Sequence, residues 1–347
     1  MGGGSIMDYA VLGSTGIKVC KNGFGALPIQ RISEEVAVKL LRKAYDGGFR
    51  FFDTSRKYTD SEKKLGMAFK GMWDDIYIAT KTGALTGDQL RKDLEISLQT
   101  LQTDHIDIYQ FHNPPFCPKP GDGTGLYEAM LEAKESGKVR HIGITNHRMF
   151  VAHEAIDSGL YETLQFPFSY ICGDQEIELV KKCKGHNMGF IAMKGLSGGL
   201  LTDYRACYAF EAQFDNLIPI WGIQRECELD QWISCIDNPP RMTDEIRALI
   251  EKDKKELSGD FCRACGYCMP CTVGIEINQC ARISQMIRRS PVAKFLTDEF
   301  AQKMRKINEC INCGLCKSKC PYGLDTPKLL RKNLEDYEAI LAGKIKV

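Results

Sequence analysis

Eight cysteines near the C-terminal end are spaced for iron. Cys262, Cys265, Cys268 and Cys271 follow one another at two-residue gaps. Some forty residues later come Cys310, Cys313, Cys316 and Cys320, with Pro321 after the last. Three cysteines at such gaps let one short loop wrap three corners of a four-iron cubane, and the fourth thiolate usually comes from the other half of the domain. One 4Fe-4S cluster is therefore assigned to Cys262, Cys265, Cys268 and Cys320, and a second to Cys310, Cys313, Cys316 and Cys271. Structural zinc typically pairs two cysteines, leaves a gap and pairs two more, which is a different spacing. The first run has two residues rather than three before its last cysteine, and Thr272 in place of proline. A single cluster with idle cysteines therefore stays open.

A second set of residues could handle protons: Asp53, Tyr58, Lys81 and His112. Each alone has a structural reading, since buried Lys–Asp pairs and strand-end histidines are often only satisfied polar groups. Together they make a general acid. A tyrosine hydroxyl ordinarily has a pKa near 10. A neighbouring ammonium favours the phenolate, and an aspartate holds the lysine charged and in place. A histidine donor beside them orients a carbonyl. The set is suited to protonating a carbonyl oxygen as hydride arrives at carbon.

These four sit where a repeating pattern of elements would bring them together. Short runs rich in β-branched and aromatic residues mark strands at 23–27, 50–53, 76–80, 106–111, 139–145, 163–166, 189–193 and 217–221. Amphipathic stretches lie between them. One spans 33–45, with Val36, Leu40, Leu41 and Ala44 on one face, Ser33 as N-cap and Gly47-Gly48 as its stop. Others span 87–101 and 125–136. Eight strands alternating with helices predict a (β/α)8 TIM barrel, whose site lies at the C-terminal strand ends. Asp53, Lys81 and His112 fall at the ends of strands two, three and four, and Tyr58 in the loop after Asp53. A doubly wound sheet would need Gly-x-Gly-x-x-Gly after its first strand, and Gly23-Phe-Gly25 has no third glycine in place. Residues 8–20 read as a hairpin capping the barrel bottom. The opening residues 1–7 read as linker or an added leader, with Met7 a plausible natural start. The boundary is expected near Asn238-Pro239-Pro240, giving a barrel at 8–238 and a small, mainly helical, ferredoxin-like two-cluster domain at 239–347.

At this point the chain resembles the aldo-keto reductases. The resemblance rests on Leu12-Gly-Ser-Thr-Gly-Ile-Lys-Val19, Phe52-Asp-Thr-Ser-Arg-Lys-Tyr58, Ser61-Glu62 with Leu65-Gly66, Ala79-Thr-Lys81 and Asp107-Ile-Tyr-Gln-Phe-His112. It continues through Ile142-Gly-Ile-Thr-Asn146, Gln165 and Ile191-Ala-Met-Lys-Gly-Leu196, and so covers the whole barrel. It implies that Asp53, Tyr58, Lys81 and His112 are a catalytic tetrad. It also implies that Thr145, Asn146 and Gln165 face a nicotinamide, with Met193, Lys194 and Leu196 on the same cofactor. Many relatives stack a tyrosine on the nicotinamide where this chain has Met193. NADPH-specific relatives offer lysine, serine and arginine to the 2′-phosphate after strand eight. Here that stretch is Gly222-Ile-Gln-Arg-Glu-Cys-Glu228, with Glu228 at the arginine's place and Arg225 as a compensating cation. A carboxylate there repels a phosphate.

Net charge is +1, which argues against a nucleic-acid partner. The charge is uneven, however. Residues 241–347 carry 20 basic and 14 acidic side chains. Two four-iron clusters with four thiolates each bring a net charge of about −4, which such an excess largely offsets. No apolar run is long enough to cross a bilayer, so no membrane partner and a cytoplasmic location are expected. The other eight cysteines, Cys20, Cys117, Cys172, Cys183, Cys207, Cys227, Cys235 and Cys280, show no pattern and read as small buried hydrophobes. Three functions follow as expectations. The first is a carbonyl or enone reductase using NAD(P)H. The second takes electrons from a ferredoxin or flavodoxin-like donor through the clusters, with a flavin to gather them. The third is a non-enzymatic redox sensor on a retired barrel.

Overall fold

The computed structural model describes residues 8–257, 261–289 and 292–346, and the expected leader at 1–7 lies outside them. The described residues form two compact units. The first takes the chain up to Gly195 together with Asp203–Arg247, and the second takes Leu196–Thr202 with the chain from Ala248 onward.

In the first unit, β1 (Tyr9–Val11) and β2 (Lys18–Cys20) make an antiparallel hairpin. Eight strands follow: β3 (Gly23–Gly25), β4 (Phe51–Asp53), β5 (Tyr77–Thr82), β6 (Ile106–His112), β7 (Val139–Thr145), β8 (Thr163–Pro167), β9 (Gly189–Met193) and β10 (Leu217–Gly222). They pair in parallel in chain order, and β10 closes on β3, giving the expected (β/α)8 barrel. Its helices are α1 (Glu34–Asp46), α2 (Ser61–Phe69), α3 (Gly87–Leu101), α4 (Leu126–Glu135), α5 (Met149–Ser158), α6 (Asp174–Gly185), α7 (Tyr204–Glu211) and α8 (Glu226–Asp237).

The local chemistry explains these elements. Ser33 caps α1 by accepting the Val36 N–H, Glu34 and Glu35 sit in its first turn, and Ala37, Leu40, Leu41 and Ala44 are its buried stripe. The strands are apolar because both of their faces are covered. Four strands run further than expected, β8 and β10 by one residue each. β5 reaches Thr82 and β6 reaches His112, because the ladder continues through Lys81 opposite Gln110 and His112 opposite Thr145. Both site residues are thus held by the sheet and not by loops. The first barrel strand is shorter than expected, since Pro28 opens a 3-10 turn over Pro28–Arg31.

The hairpin closes the N-terminal end of the barrel, as expected. Val11 N–H donates to Asp215 O at 3.2 Å and Ser14 N–H to Asn187 O at 2.7 Å, just before β10 and β9. Ala10, Leu12, Ile17 and Val19 pack on Phe51, Ala79, Ile108, Ile191 and Ile218 inside the barrel. Each of the larger side chains contributes about 1.5–3 kcal/mol by leaving water.

The second unit is mainly helical, with α9 (Asp244–Glu256) crossing into it, then α10 (Ile277–Cys280), α11 (Ile283–Arg289), α12 (Asp298–Arg305), α13 (Leu315–Ser318) and α14 (Thr326–Leu341). α14 is its spine. Leu329, Leu330, Leu334, Tyr337 and Ile340 recur at helical spacing and join Ile283, Ile287, Ala301 and Met304 in one core. Of the eight scattered cysteines, Cys172 is half-buried and Cys227 is exposed, against the expectation of burial. Cys227 stands in the first turn of α8, on its solvent side.

Candidate functional site

Lys81 Nζ lies 2.6 and 2.7 Å from the two carboxylate oxygens of Asp53 and donates to Thr54 O at 2.6 Å. Both side chains are almost wholly buried. Burial pushes the Asp53 carboxyl up and the Lys81 ammonium down, and their contact with one another opposes both shifts. Asp53 also accepts from Gln110 Nε2 at 3.4 Å and is hydrogen-bonded by Gln165. A polar layer therefore spans β4, β5, β6 and β8 below the barrel mouth. Gly143 makes room for it, because a Cβ there would lie 2.4 Å from Thr163 Oγ1 and 2.9 Å from Gln110 Cγ.

Tyr58 is swung over this layer by a turn in which its N–H donates to Ser55 O at 2.9 Å. The Lys81 ammonium is 5.4 Å from the centre of its ring. The His112 ring meets the Tyr58 ring edge to face at 5.9 Å, with 85° between planes. His112 Nδ1 is 2.8 Å from Ser55 Oγ. Its pKa is pushed down to about 3, by burial first and then by the charges of Lys81 and Lys57, so the imidazole is neutral at physiological pH. All four expected residues come together. Ser55 and Gln110 join them, and sequence reasoning had not singled either out. The available signal was spacing: Ser55 is two residues after Asp53, and Gln110 two before His112, so each pair shares a side of an extended chain.

The residues expected at a nicotinamide are less uniform. Thr145 ends β7, and its Oγ1 is 4.0 Å from the sulfur of Met193 at the end of β9. Gln165 lies on β8, and its Oε1 is buried without a hydrogen-bond partner among the described residues. Asn146 directly follows β7. Its Oδ1 accepts the His147 and Arg148 N–H groups at 2.9 Å each, and its Nδ2 donates to Pro114 O at 2.8 Å. Lys194 adopts a left-handed backbone at φ 62°, while Leu196 belongs to the second unit. Arg225 precedes α8, with its Nε and Nη2 at 2.8 and 2.6 Å from Glu228 Oε1. Glu228 Oε2 accepts the Gln224 and Arg225 N–H groups at 3.0 Å each. One carboxylate thus holds both the Arg225 guanidinium and the two N–H groups just before this helix.

In the second unit the eight spaced cysteines surround two cavities. Cys262, Cys265, Cys268 and Cys320 line one, with Tyr322, Leu324 and Leu329 behind them. Cys271, Cys310, Cys313 and Cys316 line the other, with Cys268 between the two. The two loops share a backbone. Ala264 and Asn312, each two residues after the first cysteine, have φ of 53°, and Gly266 and Gly314, two residues further on, have φ of 81° and 76°. Among the described residues no three Cys, His, Asp or Glu side chains converge as a single ion requires. Four thiols around each cavity are the donor set of a cubane cluster, so the residues fit the group. Ala264 N–H donates to Cys262 Sγ at 3.4 Å, and Thr272 Oγ1 is 3.7 Å from Cys313 Sγ.

A closed (β/α)8 barrel is followed by a helical module whose cysteines line two cavities. Residues 21–217 match the aldo/keto reductase family model, and residues 261–325 match the 4Fe-4S dicluster domain. The chain belongs to the aldo/keto reductase family. Among curated relatives, L-galactose dehydrogenase of Arabidopsis thaliana is 32% identical over 216 residues, 57% of this chain and 68% of that protein. Aldo-keto reductase YhdN of Bacillus subtilis (strain 168) is 28% identical over 216 residues, 56% and 64% of the two chains. Among solved structures, an aldo-keto reductase from Bacillus halodurans in its holo form superposes with a TM-score of 0.63 at 21% identity, over 71% of this chain and 96% of that one. One from Klebsiella pneumoniae, in complex with NADPH, gives 0.61 at 20% identity over 71% and 95%. These structures share the barrel fold. Among the described residues no helix is long and apolar enough to cross a membrane.

Proposed function

We propose that the barrel, residues 8–238, reduces a small-molecule carbonyl or conjugated enone with Tyr58 as proton donor. The observation that carries this is the meeting of Tyr58, Lys81, Asp53 and neutral His112 at one barrel mouth. A bound nicotinamide supplies the hydride for the carbonyl carbon. Tyr58 gives its hydroxyl proton to the carbonyl oxygen. The Lys81 ammonium, held by both Asp53 oxygens, stabilises the phenolate left behind. His112, kept neutral, orients the carbonyl through a hydrogen bond.

Two observations bear on the nucleotide. Gln165 Oε1, without a hydrogen-bond partner among the described residues, suits the amide of a nicotinamide, with Thr145, Met193 and Lys194 as further contacts. At the other end, Glu228 holds Arg225 and the two backbone N–H groups that a 2′-phosphate would use. This favours NADH over NADPH. Under anaerobic conditions NADH should be consumed with a carbonyl acceptor in preference to NADPH. Glu228→Gln should then tighten NADP binding by about tenfold, worth about 1.4 kcal/mol, and leave NAD nearly unchanged. Equal binding of the two nucleotides by the unsubstituted protein would remove this reading of Glu228, and no oxidation of either would remove the nicotinamide reading.

A second reading is favoured by the surface of the second cavity. Cys313 is exposed, and Ile311 and Leu315 beside it are 65% and 47% exposed. Lys319 and Lys328 nearby are exposed and make no ion pair among the described residues. An apolar rim with basic neighbours suits docking of an acidic one-electron carrier such as a ferredoxin or flavodoxin. In this reading residues 239–347 are the electron inlet, and a flavin would gather two single electrons. Reduced ferredoxin alone should then bleach the clusters and drive turnover.

A further inference from the structure

Lys57 directly precedes Tyr58 and is carried to the barrel mouth by the same turn. Arg56 N–H donates to Lys81 O at 3.0 Å, so the chain here runs along the end of β5. Lys57 N–H donates to Ser55 Oγ at 3.2 Å, and that oxygen is the one 2.8 Å from His112 Nδ1. The Lys57 side chain then lies across Gly83, the first residue after β5. The bare backbone there makes the seat. A Cβ at Gly83 would lie 3.1 Å from Lys57 Cδ and closer still to Cε and Nζ, so the side chain would have to move. Thr82 pairs with Phe111 across the ladder, and Gly83, one residue on, therefore borders His112. The Lys57 ammonium thus sits on the β5 side of His112, where its charge helps to lower the pKa of that imidazole.

Lys57 is exposed and forms no ion pair among the described residues. The acids of the neighbouring elements are engaged elsewhere. Glu62 is held by Arg56, Thr80 and Ser97, Asp60 by Lys64 and Asp53 by Lys81, while Asp93 accepts from Thr82 Oγ1 at 2.5 Å. An unpaired surface lysine ordinarily extends into water. This one is laid over a strand end beside the proposed proton donor. Nor does its position suit the nucleotide. Thr145, Gln165 and Met193 belong to β7, β8 and β9, and Arg225 follows β10. In the closed ring of eight strands β5 lies across from β9, so a cation over the end of β5 faces the other half of the mouth.

We propose that Lys57 binds a carboxylate on the substrate, so that the acceptors of this site are oxo acids, carbonyl compounds that also carry an acid group. The inference rests on the reductase reading above and names its substrate class. With the carbonyl at Tyr58 and His112, the carboxylate points toward β5 and accepts a charge-assisted hydrogen bond from the ammonium. The acid group is unchanged by the reaction, since hydride and proton add to the carbonyl alone. Such a bond is worth about tenfold in affinity.

The test measures binding of pyruvate, succinic semialdehyde and para-carboxybenzaldehyde, each against its methyl ester. These acids set the carboxylate at different separations from the carbonyl. Ligand-observed NMR with the full-length holoprotein and oxidised NAD, under anaerobic conditions, leaves the carbonyl unreduced. The unsubstituted protein should bind at least one acid about tenfold more tightly than its ester. Lys57→Met should abolish that preference, and Lys57→Arg, which keeps the charge, should retain most of it. In turnover with NADH the same preference should appear in KM and not in kcat. Selective binding without turnover keeps the carboxylate site and removes the reductase reading. Equal binding of acid and ester in every pair by the unsubstituted protein overturns the proposal, as does a preference that Lys57→Met retains.

Discussion

Replacing Tyr58 by phenylalanine is expected to lower the turnover number for carbonyl reduction by about two to four orders of magnitude, the usual worth of a positioned general acid. The substitution removes one oxygen and keeps the ring. The ring contacts Tyr58 makes, edge-on to His112 and beneath the Lys81 ammonium, are therefore retained. The Lys81–Asp53 pair has its own three short hydrogen bonds and does not depend on the phenol oxygen. KM should change little, because the proton moves only as the carbonyl oxygen gains charge, and losses confined to that moment appear in kcat. Iron content should stay as it was, since the cysteine cavities lie in a separate unit. Turnover within a factor of about two of the parent would take the proton-donor role away from Tyr58.

The second large effect concerns Cys271. It belongs to the first cysteine run in sequence but lines the cavity formed by Cys310, Cys313 and Cys316. Cys320, from the second run, lines the cavity of Cys262, Cys265 and Cys268. Cys271→Ala should therefore remove the cluster of the second run, lowering iron and acid-labile sulfide from about eight to about four per chain. Cys320→Ala should remove the other, and the two losses should have different EPR signals. Loss of the Cys262 cluster on substituting Cys271 would show that each run serves itself. Retention of about eight irons would show that Cys271 is idle, the doubt raised by its odd spacing and by Thr272 after it.

Most of the barrel was legible because each strand is a short apolar run between turn residues, and helices such as α1 and α3 open on a capping hydroxyl and carry a buried stripe. Strand ends were less so. The sequence at Lys81 and His112 is polar, and only pairing with Gln110 and Thr145 keeps these residues in the sheet. The four proton-handling residues were legible as a set, since chemistry and strand-end position pointed to the same ones. Their supports were not. Nothing local tells that Ser55 meets the imidazole of a residue 57 positions away. Glu228 was legible as a charge, but its role as the partner of Arg225 and cap of α8 needed geometry. The grouping of Leu196–Thr202 with the tail is a fact of long-range contact.

In the proposed reaction hydride reaches the substrate carbon directly at the barrel mouth, with Tyr58 supplying the proton. Anaerobic turnover of a carbonyl acceptor with NADH stereospecifically deuterated at the transferable C4 position tests it most directly, with the product read by mass spectrometry and NMR. Direct transfer predicts one deuterium at the former carbonyl carbon, with NADH deuterated in the opposite C4 position giving none, and the hydroxyl hydrogen drawn from water. A product carrying only solvent hydrogen at that carbon, whichever NADH is used, would contradict it and place the electrons on the route through the clusters.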